Sequence, residues 1–180
     1  MDNIRKEKSE LRKLIKELKK VHSFEQKKEM SKPIWEEIET KEWFKEAKVV
    51  LMYWSMKDEV HTHDFVIKWY KEKTILLPCV EGDILKIRQF EGIESMKEGV
   101  AFSILEPTGK EFVDIHLIDL MIIPALAFDE ENNRLGRGKG FYDKLLENSN
   151  TLKVGVCFPF QFLDKIPTEE FDVKMDYVIK

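Results

Sequence analysis

The first forty residues carry the apolar spacing of two helices. Between about residues 3 and 20, apolar side chains recur at intervals of three, four and seven: Ile4, Leu11, Leu14, Ile15 and Leu18. This stripe predicts an amphipathic helix. A second helix is predicted to begin at Ser23, where Gln26 completes a capping-box pattern. Pro33 lies inside that pattern, and we expect it to kink or interrupt the helix before Thr40.

From residue 47 onwards, short apolar segments alternate with a helical pattern. AKVVLMYW (47–54) and TILLPCV (74–80) are predicted strands, and VHTHDFVIKWYKE between them is a predicted helix with Thr62 as its N-cap. Because a helix that joins two strands of one sheet makes them parallel, this is a βαβ unit. The next segment, EGDILKIRQF, combines a Gly-Asp turn signal with alternation, which predicts an added antiparallel ribbon.

The C-terminal half continues the alternation. LIDLMIIPALAF (117–128) is predicted as one buried strand, ENNRLGRGKG (131–140) as a loop and FYDKLLEN (141–148) as a helix, with strands in TLKVGVCF and MDYVI. The pattern predicts an α/β fold: a three-layer α/β/α sandwich with an open, mostly parallel sheet and an N-terminal helical arm. With 180 residues, we expect a single domain over 1–180.

Composition and charge narrow the function classes. The chain is 43% hydrophobic and 36% charged, which is typical of a globular protein. Its net charge of −4 (30 cations against 34 anions) gives no long-range attraction for nucleic acid or anionic lipid. The N-terminus is charged from its second residue, and no apolar run reaches the length of a membrane span. We therefore expect a cytoplasmic protein without nucleic-acid or membrane partners.

The segment RLGRGKGFYD (134–143) carries the strongest chemical signal. Its glycines alternate with other residues, and cations flank them: Gly136, Gly138, Gly140, Arg134, Arg137 and Lys139. Such a loop between a strand and a helix can direct backbone N–H groups at a phosphate. Its spacing fits neither a P-loop nor a dinucleotide fingerprint. The alternative is a solvated glycine turn whose charges serve solubility.

GRGKGFYD resembles the signature of the 5-formyltetrahydrofolate cyclo-ligases, a G-x-G-x-G run followed by Tyr-Tyr-Asp. The chain is similar to that family in further segments that follow in the same order: KSELR (8–12), WSMKDEVHT (54–62), ILEP (104–107) and PTEEFDVKMD (167–176). The likeness spans nearly the whole chain. Phe141 departs from it, because the family often has the first tyrosine there. The fold that the resemblance implies agrees with the α/β pattern.

The resemblance implies an ATP site. Its residues would be Lys8, Arg12, Arg134, Gly136, Arg137, Gly138, Lys139, Gly140 and Tyr142. Within this set, the resemblance gives Arg137, Lys139 and Tyr142 as the catalytic residues. The spacing of Lys8 and Arg12 places them on one helical face. Taken alone, however, such a pair is typical of a solvated surface.

The resemblance also implies metal and folate ligands. Asp143 and Asp172 would hold Mg²⁺, with Asp176 as the competitor of Asp172. Position alone gives Asp143 another role, since an acidic residue in the first turn of a helix is favoured by the helix dipole. Trp54 and Glu59 would contact the folate; their alternatives are a core tryptophan and a solvated loop glutamate.

Histidine and cysteine chemistry is not indicated. His61 and His63 lie two apart beside an acid, but no third ligand follows at a recognised spacing, so we interpret them as surface histidines. Cys79 and Cys157 lie in apolar strand segments and are expected to be free core thiols.

The implied reaction is 5-formyltetrahydrofolate + ATP → 5,10-methenyltetrahydrofolate + ADP + phosphate. Phosphorylation of the formyl oxygen would allow N10 to attack the formyl carbon. The substrate would be 5-formyltetrahydrofolate with or without a polyglutamate tail, the cofactors ATP and Mg²⁺, and the protein a monomer. Two alternatives remain from the residues: a non-catalytic module that grips an anionic partner, and a sugar-phosphate isomerase or CoA-transferase on a similar sheet. Neither alternative requires a nucleoside triphosphate.

Overall fold

The computed structural model describes residues 2–99, 104–147 and 149–180. The α-helices are α1 Asp2–Lys20, α2 Phe24–Thr40, α3 Glu42–Glu46, α4 His63–Trp69 and α5 Phe141–Leu146. Short 3₁₀ turns span Ile93–Ser95, Ile115–Leu117 and Pro159–Gln161. The strands are β1 Val49–Leu51, β2 Thr74–Glu81, β3 Ile84–Gln89, β4 Met96–Glu98, β5 Leu105–Pro107, β6 Leu120–Pro124, β7 Ala127–Asp129, β8 Arg134–Leu135, β9 Leu152–Val156, β10 Phe162–Leu163 and β11 Tyr177–Ile179.

The main sheet, within the described residues, has six strands in the order β11-β9-β6-β1-β2-β3. Its neighbouring pairs are parallel, except that β3 is antiparallel to β2, as the ribbon pattern predicted. The chain runs from β1 to β2 on one side and later enters β6 on the other side of β1. The strand order therefore reverses between β1 and β6, and open α/β sheets bind ligands beyond the carboxyl ends of strands at such a point.

Alternating strand residues build cores on both faces of this sheet. Val50 packs with buried side chains of α2, α3 and α4, whereas the adjacent Leu51 packs on the other face with Leu146 of α5. This arrangement confirms the α/β class with a mostly parallel sheet. Ile15 of the arm α1 packs with Leu126 and Leu135, residues beside and within a smaller sheet of order β10-β7-β8.

The two N-terminal helices agree with their apolar patterns, with two corrections. Leu14, which the stripe of α1 included, is 50% exposed. Ser23 caps α2, and its hydroxyl accepts from the Gln26 amide while the Gln26 side chain accepts from the Ser23 amide. The expected interruption at Pro33 is wrong, because α2 continues through it to Thr40. Proline removes one backbone hydrogen bond, at a cost of about 3 kcal/mol. The burial of Ile34 and Trp35 directly after it offsets that loss.

The segment predicted as one strand over 117–128 divides into two. β6 ends at Pro124, and β7 begins at Ala127 in the smaller sheet. The side-chain amide of Gln161 donates to the carbonyls of Ala125 and Leu126 at 3.1 and 2.8 Å. These bonds satisfy the backbone where the chain changes sheets.

Smaller differences follow at other elements. Part of the predicted loop at 131–140 is strand β8, which pairs with β7. The helix predicted over 141–148 ends at Leu146, and Asn148 lies outside the described residues. Cys79 and Cys157 are buried free thiols, as expected. Among the helices in the described ranges, none combines the length and apolarity that crossing a bilayer requires.

Candidate active site

A cavity of about 490 Å³ opens beyond the carboxyl ends of β1, β2 and β6. Every residue that the sequence assigned to ATP, folate or Mg²⁺ lines it: Lys8, Arg12, Trp54, Glu59, Arg134, Gly136, Arg137, Gly138, Lys139, Gly140, Tyr142, Asp143 and Asp172. Its volume is typical of a small-molecule site. Asp176 does not line it; that carboxylate instead accepts the Lys153 backbone amide at 2.7 Å.

The glycine loop is shaped by its own backbone and held by α1. Gly138 and Gly140 have φ angles of +97° and +70°, a region that other residues enter only with strain. Arg12 donates from Nε to the Gly136 carbonyl at 2.9 Å. A Cβ at Gly138 would lie 3.5 Å from Cζ of the same arginine. The loop is therefore folded closely against the N-terminal helix.

Arg134 lies at the base of the loop. Its Nη2 donates to Asp143 Oδ1 at 2.5 Å, and its guanidinium lies 5.6 Å from the centre of the Tyr142 ring. The Arg134 Nε is buried and has no hydrogen-bond partner among the described residues. A buried donor without an acceptor is costly, so a ligand oxygen at this cavity wall would be stabilising.

Lys8 joins α1 to the C-terminal segment. Only 5% of Lys8 is exposed, and its Nζ lies 2.5 Å from Asp172 Oδ2 and 3.0 Å from Glu169 Oε2. The Glu169 amide also donates to Asp172 Oδ2, at 2.7 Å. This network fixes the Asp172 carboxylate at the cavity wall.

The carboxylates Asp143 and Asp172 fit a magnesium ion bound together with a nucleotide. Mg²⁺ commonly takes one or two carboxylates, with phosphate oxygens and water as its other ligands. Across residues 2–99, 104–147 and 149–180, no cluster of three or more His, Cys, Asp or Glu side chains is suited to a metal alone. In the same ranges, Asp143 Oδ2 and Asp172 Oδ1 accept no hydrogen bond. Each carboxylate therefore keeps one oxygen for a metal.

Glu59 also lines the cavity and is only 8% exposed. Its Oε2 accepts the Met56 amide at 2.9 Å, and its Oε1 accepts Arg137 Nη2 at 3.0 Å. The alternative of a solvated loop glutamate is therefore wrong. Glu59 also touches a residue of the glycine loop, although 78 residues separate the two in the chain.

The loop that carries Glu59 is held by Thr62. Thr62 precedes α4, as predicted, but its side chain does not cap that helix. The hydroxyl donates to the Tyr53 carbonyl at 2.7 Å and accepts the Ser55 amide at 3.0 Å. Because these bonds engage the hydroxyl inside the β1–α4 loop, they fix the loop and leave the helix end without a side-chain cap.

Trp54 presents a flat, buried side chain to the cavity, with 8% exposure. His63 stacks on it, with ring centres 3.8 Å apart and an 11° angle between planes. The His63 Nε2 lies 3.1 Å from the Ser55 carbonyl, so this nitrogen carries the proton. Burial, with a smaller effect from His61, lowers the pKa of His63 to about 4. The expectation of surface histidines is wrong: both residues are half-buried, and their ring centres lie 4.5 Å apart.

Tyr142 keeps its proton at neutral pH. Burial, followed by the charge of Glu59, raises the pKa of Tyr142. Its hydroxyl is thus a hydrogen-bond donor in a cavity that also contains carboxylates.

Sequence reasoning missed several residues of the site. Arg5, Glu169 and Phe171 also line the cavity, and Asp58 lies behind it in contact with Arg137. A signal was present for three of them, because Glu169 and Phe171 belong to PTEEFDVKMD and Asp58 adjoins Glu59 in WSMKDEVHT. No local rule distinguishes charged site residues such as Asp58 and Glu169 from solvated surface charges.

A model of the 5-formyltetrahydrofolate cyclo-ligase family matches residues 4–180. This chain belongs to that family. The match covers both α1, with Lys8 and Arg12, and the C-terminal segment with Asp172. The matched range therefore contains every cavity-lining residue named above.

Individual members of the family are similar to this chain over most of its length. A probable 5-formyltetrahydrofolate cyclo-ligase of Schizosaccharomyces pombe is 34% identical over 165 residues, which cover 79% of this chain and 78% of the relative. The 5-formyltetrahydrofolate cyclo-ligase of Escherichia coli K12 is 28% identical over 141 residues, covering 74% and 78%.

Solved structures show the same fold. The 5,10-methenyltetrahydrofolate synthetase of Aquifex aeolicus matches with a TM-score of 0.85 and 34% identity, over 96% of this chain and 88% of that one. The corresponding synthetase of Mycoplasma pneumoniae matches with a TM-score of 0.77 and 25% identity, over 96% and 97%.

Proposed function

We propose that this protein is an enzyme that converts 5-formyltetrahydrofolate into 5,10-methenyltetrahydrofolate while ATP is split into ADP and phosphate. One observation carries the proposal: a single cavity joins a cationic glycine loop to a buried carboxylate and an indole face. The first part suits a triphosphate and the second suits a pterin. The names of the family's members, cyclo-ligases and synthetases that act on these folates, support the same assignment.

The reaction is difficult because an N-formyl group is an amide, and its oxygen is a poor leaving group. Transfer of the γ-phosphoryl group to that oxygen makes it a good one. N10 can then attack the formyl carbon, and phosphate departs as the ring closes. The protein needs no covalent nucleophile of its own, so its task is to align the reactants and stabilise charge.

The cationic half of the cavity would bind the nucleotide. Lys8, Arg12 and Arg134 all line the cavity, and the buried Nε of Arg134 has no hydrogen-bond partner among the described residues. Lys139 is exposed in the loop and makes no ion pair with any residue that the structure describes, so its charge can reach the transferring group. Bound Mg²⁺, held by Asp143 and Asp172, would supply further neutralisation of phosphate charge.

The opposite half would bind the folate. The Glu59 carboxylate can accept paired donors of the pterin, and Trp54 offers a flat apolar surface to its ring. Tyr142 can donate a hydrogen bond between the two halves. One chain supplies every one of these groups.

The alternatives from the sequence fit the cavity less well. A module that only binds an anion does not require a buried carboxylate and an indole in its cavity, as Glu59 and Trp54 provide. An isomerase or CoA-transferase needs no triphosphate, yet cations and two candidate metal ligands line this cavity.

The test is to mix the purified protein with 5-formyltetrahydrofolate, ATP and Mg²⁺ and to follow the absorbance of the methenyl product. We expect product only when all components are present, and its loss when a chelator removes the metal. Product formation that continues undiminished without ATP, or with the chelator, would contradict the proposal.

A further inference from the structure

Asp58 lies directly behind the cavity and does not line it. Its carboxylate accepts Arg137 Nη2 at 2.9 Å on Oδ1 and 3.0 Å on Oδ2. The same Oδ2 accepts Lys19 Nζ at 3.2 Å. Asp58 therefore connects helix α1, the β1–α4 loop and the glycine loop through one carboxylate.

Among the described residues, Arg137 makes its side-chain hydrogen bonds through one guanidinium nitrogen, Nη2. Nη2 donates to Asp58 and to Glu59 Oε1, while Nε and Nη1 make no hydrogen bond with the described residues. Two carboxylates thus fix the direction of the plane and leave the other donors for a ligand. Glu59 lines the cavity and Asp58 does not, so Asp58 is the partner of Arg137 that lies outside the cavity.

Lys19 balances the charge of this cluster. Its side chain is 3% exposed, and Asp58 is its one ion-pair partner in the part of the chain that the structure describes. Lys19 and Arg137 together offset the charges of Asp58 and Glu59. Burial by itself favours the protonated form of Asp58, but the charges of Lys19 and Arg137 outweigh it and lower the pKa of Asp58. The carboxylate is therefore ionised at neutral pH.

We infer that Asp58 is a positioning residue, which holds the Arg137 guanidinium in the orientation that transition-state stabilisation requires, with Lys19 as its counter-charge. The inference rests on the proposed function. It adds a residue outside the cavity that acts through another side chain. The same cluster ties the nucleotide loop to the Glu59 side of the cavity, so one arginine orientation serves both ligands.

The experiment compares three variants: Asp58→Asn, Arg137→Met and the double variant. For each we would measure kcat, the calorimetric affinities for Mg·ATP and for 5-formyltetrahydrofolate, and the urea midpoint of unfolding. Asp64→Asn is the matched control, since Asp64 is an exposed carboxylate six residues away that pairs with Lys28 at 3.0 Å. We expect Asp58→Asn to lower kcat by about 10- to 100-fold. In the Arg137→Met background the same change should lower kcat by less than about twofold. Asp64→Asn should leave kcat unchanged.

A second pair separates positioning from stability. Asp58→Asn leaves the buried Lys19 without its partner, so it should also lower the urea midpoint. Adding Lys19→Met removes that unpaired charge and should recover the midpoint, while kcat stays low. Recovery of kcat together with the midpoint would show a purely structural role and overturn the inference.

The other outcomes are also decisive. The positioning role would be overturned if the fold-loss of kcat in the double variant equalled the product of the losses in Asp58→Asn and Arg137→Met. It would also be overturned if Asp58→Asn had normal kcat. A wild-type protein that binds both ligands but forms no methenyl product would instead overturn the proposed function. The two failures are thereby distinguished.

Discussion

The Lys8 ammonium lies 2.5 Å from the Asp172 carboxylate, 164 residues further along the chain. The pair closes one end of the cavity by joining α1 to the C-terminal segment. It also places a proposed phosphate ligand against a proposed metal ligand. Bound Mg·ATP would bring an opposite charge to each side chain: phosphate oxygens to Lys8 and the metal ion to Asp172.

The two aspartates of the C-terminal segment make a matched pair. Asp172 lines the cavity, whereas Asp176 accepts the Lys153 amide elsewhere. We expect Asp172→Asn to weaken Mg·ATP binding by at least about tenfold, because a neutral amide is a poor Mg²⁺ ligand. Asp176→Asn should leave that affinity within about twofold, although it replaces a charged acceptor of the Lys153 amide with a neutral one and lowers stability by about 1 kcal/mol. Calorimetric titration measures both, and equal effects of the two changes would contradict the assignment.

Lys139 has a natural control in Lys144, which is exposed on α5 and does not line the cavity. Lys139→Ala should lower kcat by about 100-fold or more, the usual scale for losing one group that stabilises transition-state charge. Lys144→Ala should retain wild-type turnover. Steady-state kinetics, corrected for the folded fraction by circular dichroism, provide the comparison. A loss that only follows the folded fraction would make Lys139 structural.

Glu59→Gln keeps the shape of the side chain and removes its charge. The amide presents an unwanted donor to the pterin, so we expect the affinity for 5-formyltetrahydrofolate to fall by about tenfold or more. ATP affinity should fall by less, through the weakened contact with Arg137. Titration with each ligand in turn checks this difference. An unchanged folate affinity, or equal losses for both ligands, would remove Glu59 from the folate side.

The sequence predicted the elements and the loop well, because these depend on local patterns. The capping box at Ser23 and the ribbon after β2 follow from residues within a few positions of each other. Pro124, at which β6 ends, was a local signal against one continuous strand, because proline donates no hydrogen bond to a strand ladder. The continuation of the chain as β7 in a second sheet could not be foreseen. It depends on the Gln161 side chain, more than 30 residues away, which satisfies the backbone at the break.

For the candidate site, too, contacts between residues far apart in the chain could not be predicted from the sequence. Its members were named through the family resemblance, and the structure brings them to one cavity. Their pairings could not be read from spacing, because ion pairs such as Lys8 with Asp172 and Arg137 with Asp58 join distant parts of the chain. A buried lysine such as Lys19 looks in sequence like any other charge on a basic helix face.

His63 should make stability depend on pH. Since the folded-state pKa of His63 is lowered to about 4 by burial, the unfolded chain binds the extra proton between about pH 6.5 and 4. The free energy of unfolding should therefore fall as the pH is lowered through that window. His63→Phe retains a ring against Trp54 but does not titrate, so its urea midpoint should fall less over the same range. Parallel pH profiles for the two proteins would contradict this origin.

Lys73 offers a test of the fold away from the site. It is 9% exposed, and its Nζ donates to the carbonyls of Phe44, Lys45 and Ala47 at 2.8, 3.1 and 2.6 Å. Lys73→Met leaves these acceptors unsatisfied, and we expect a loss of about 2 to 4 kcal/mol in the free energy of unfolding. The exposed Lys71→Met is the control and should change it by less than about 0.5 kcal/mol. Equal urea midpoints for the two variants would show that the ammonium does not stabilise the end of α3.

The proposed chemistry is tested most directly by tracing the formyl oxygen. 5-Formyltetrahydrofolate labelled with ¹⁸O in the formyl group is incubated with the protein, ATP and Mg²⁺, and the released phosphate is analysed by mass spectrometry. We expect one labelled oxygen in the phosphate for each ring closed, with one ADP formed in the same step. Unlabelled phosphate, or ring closure without ADP, would contradict activation of the formyl oxygen by ATP.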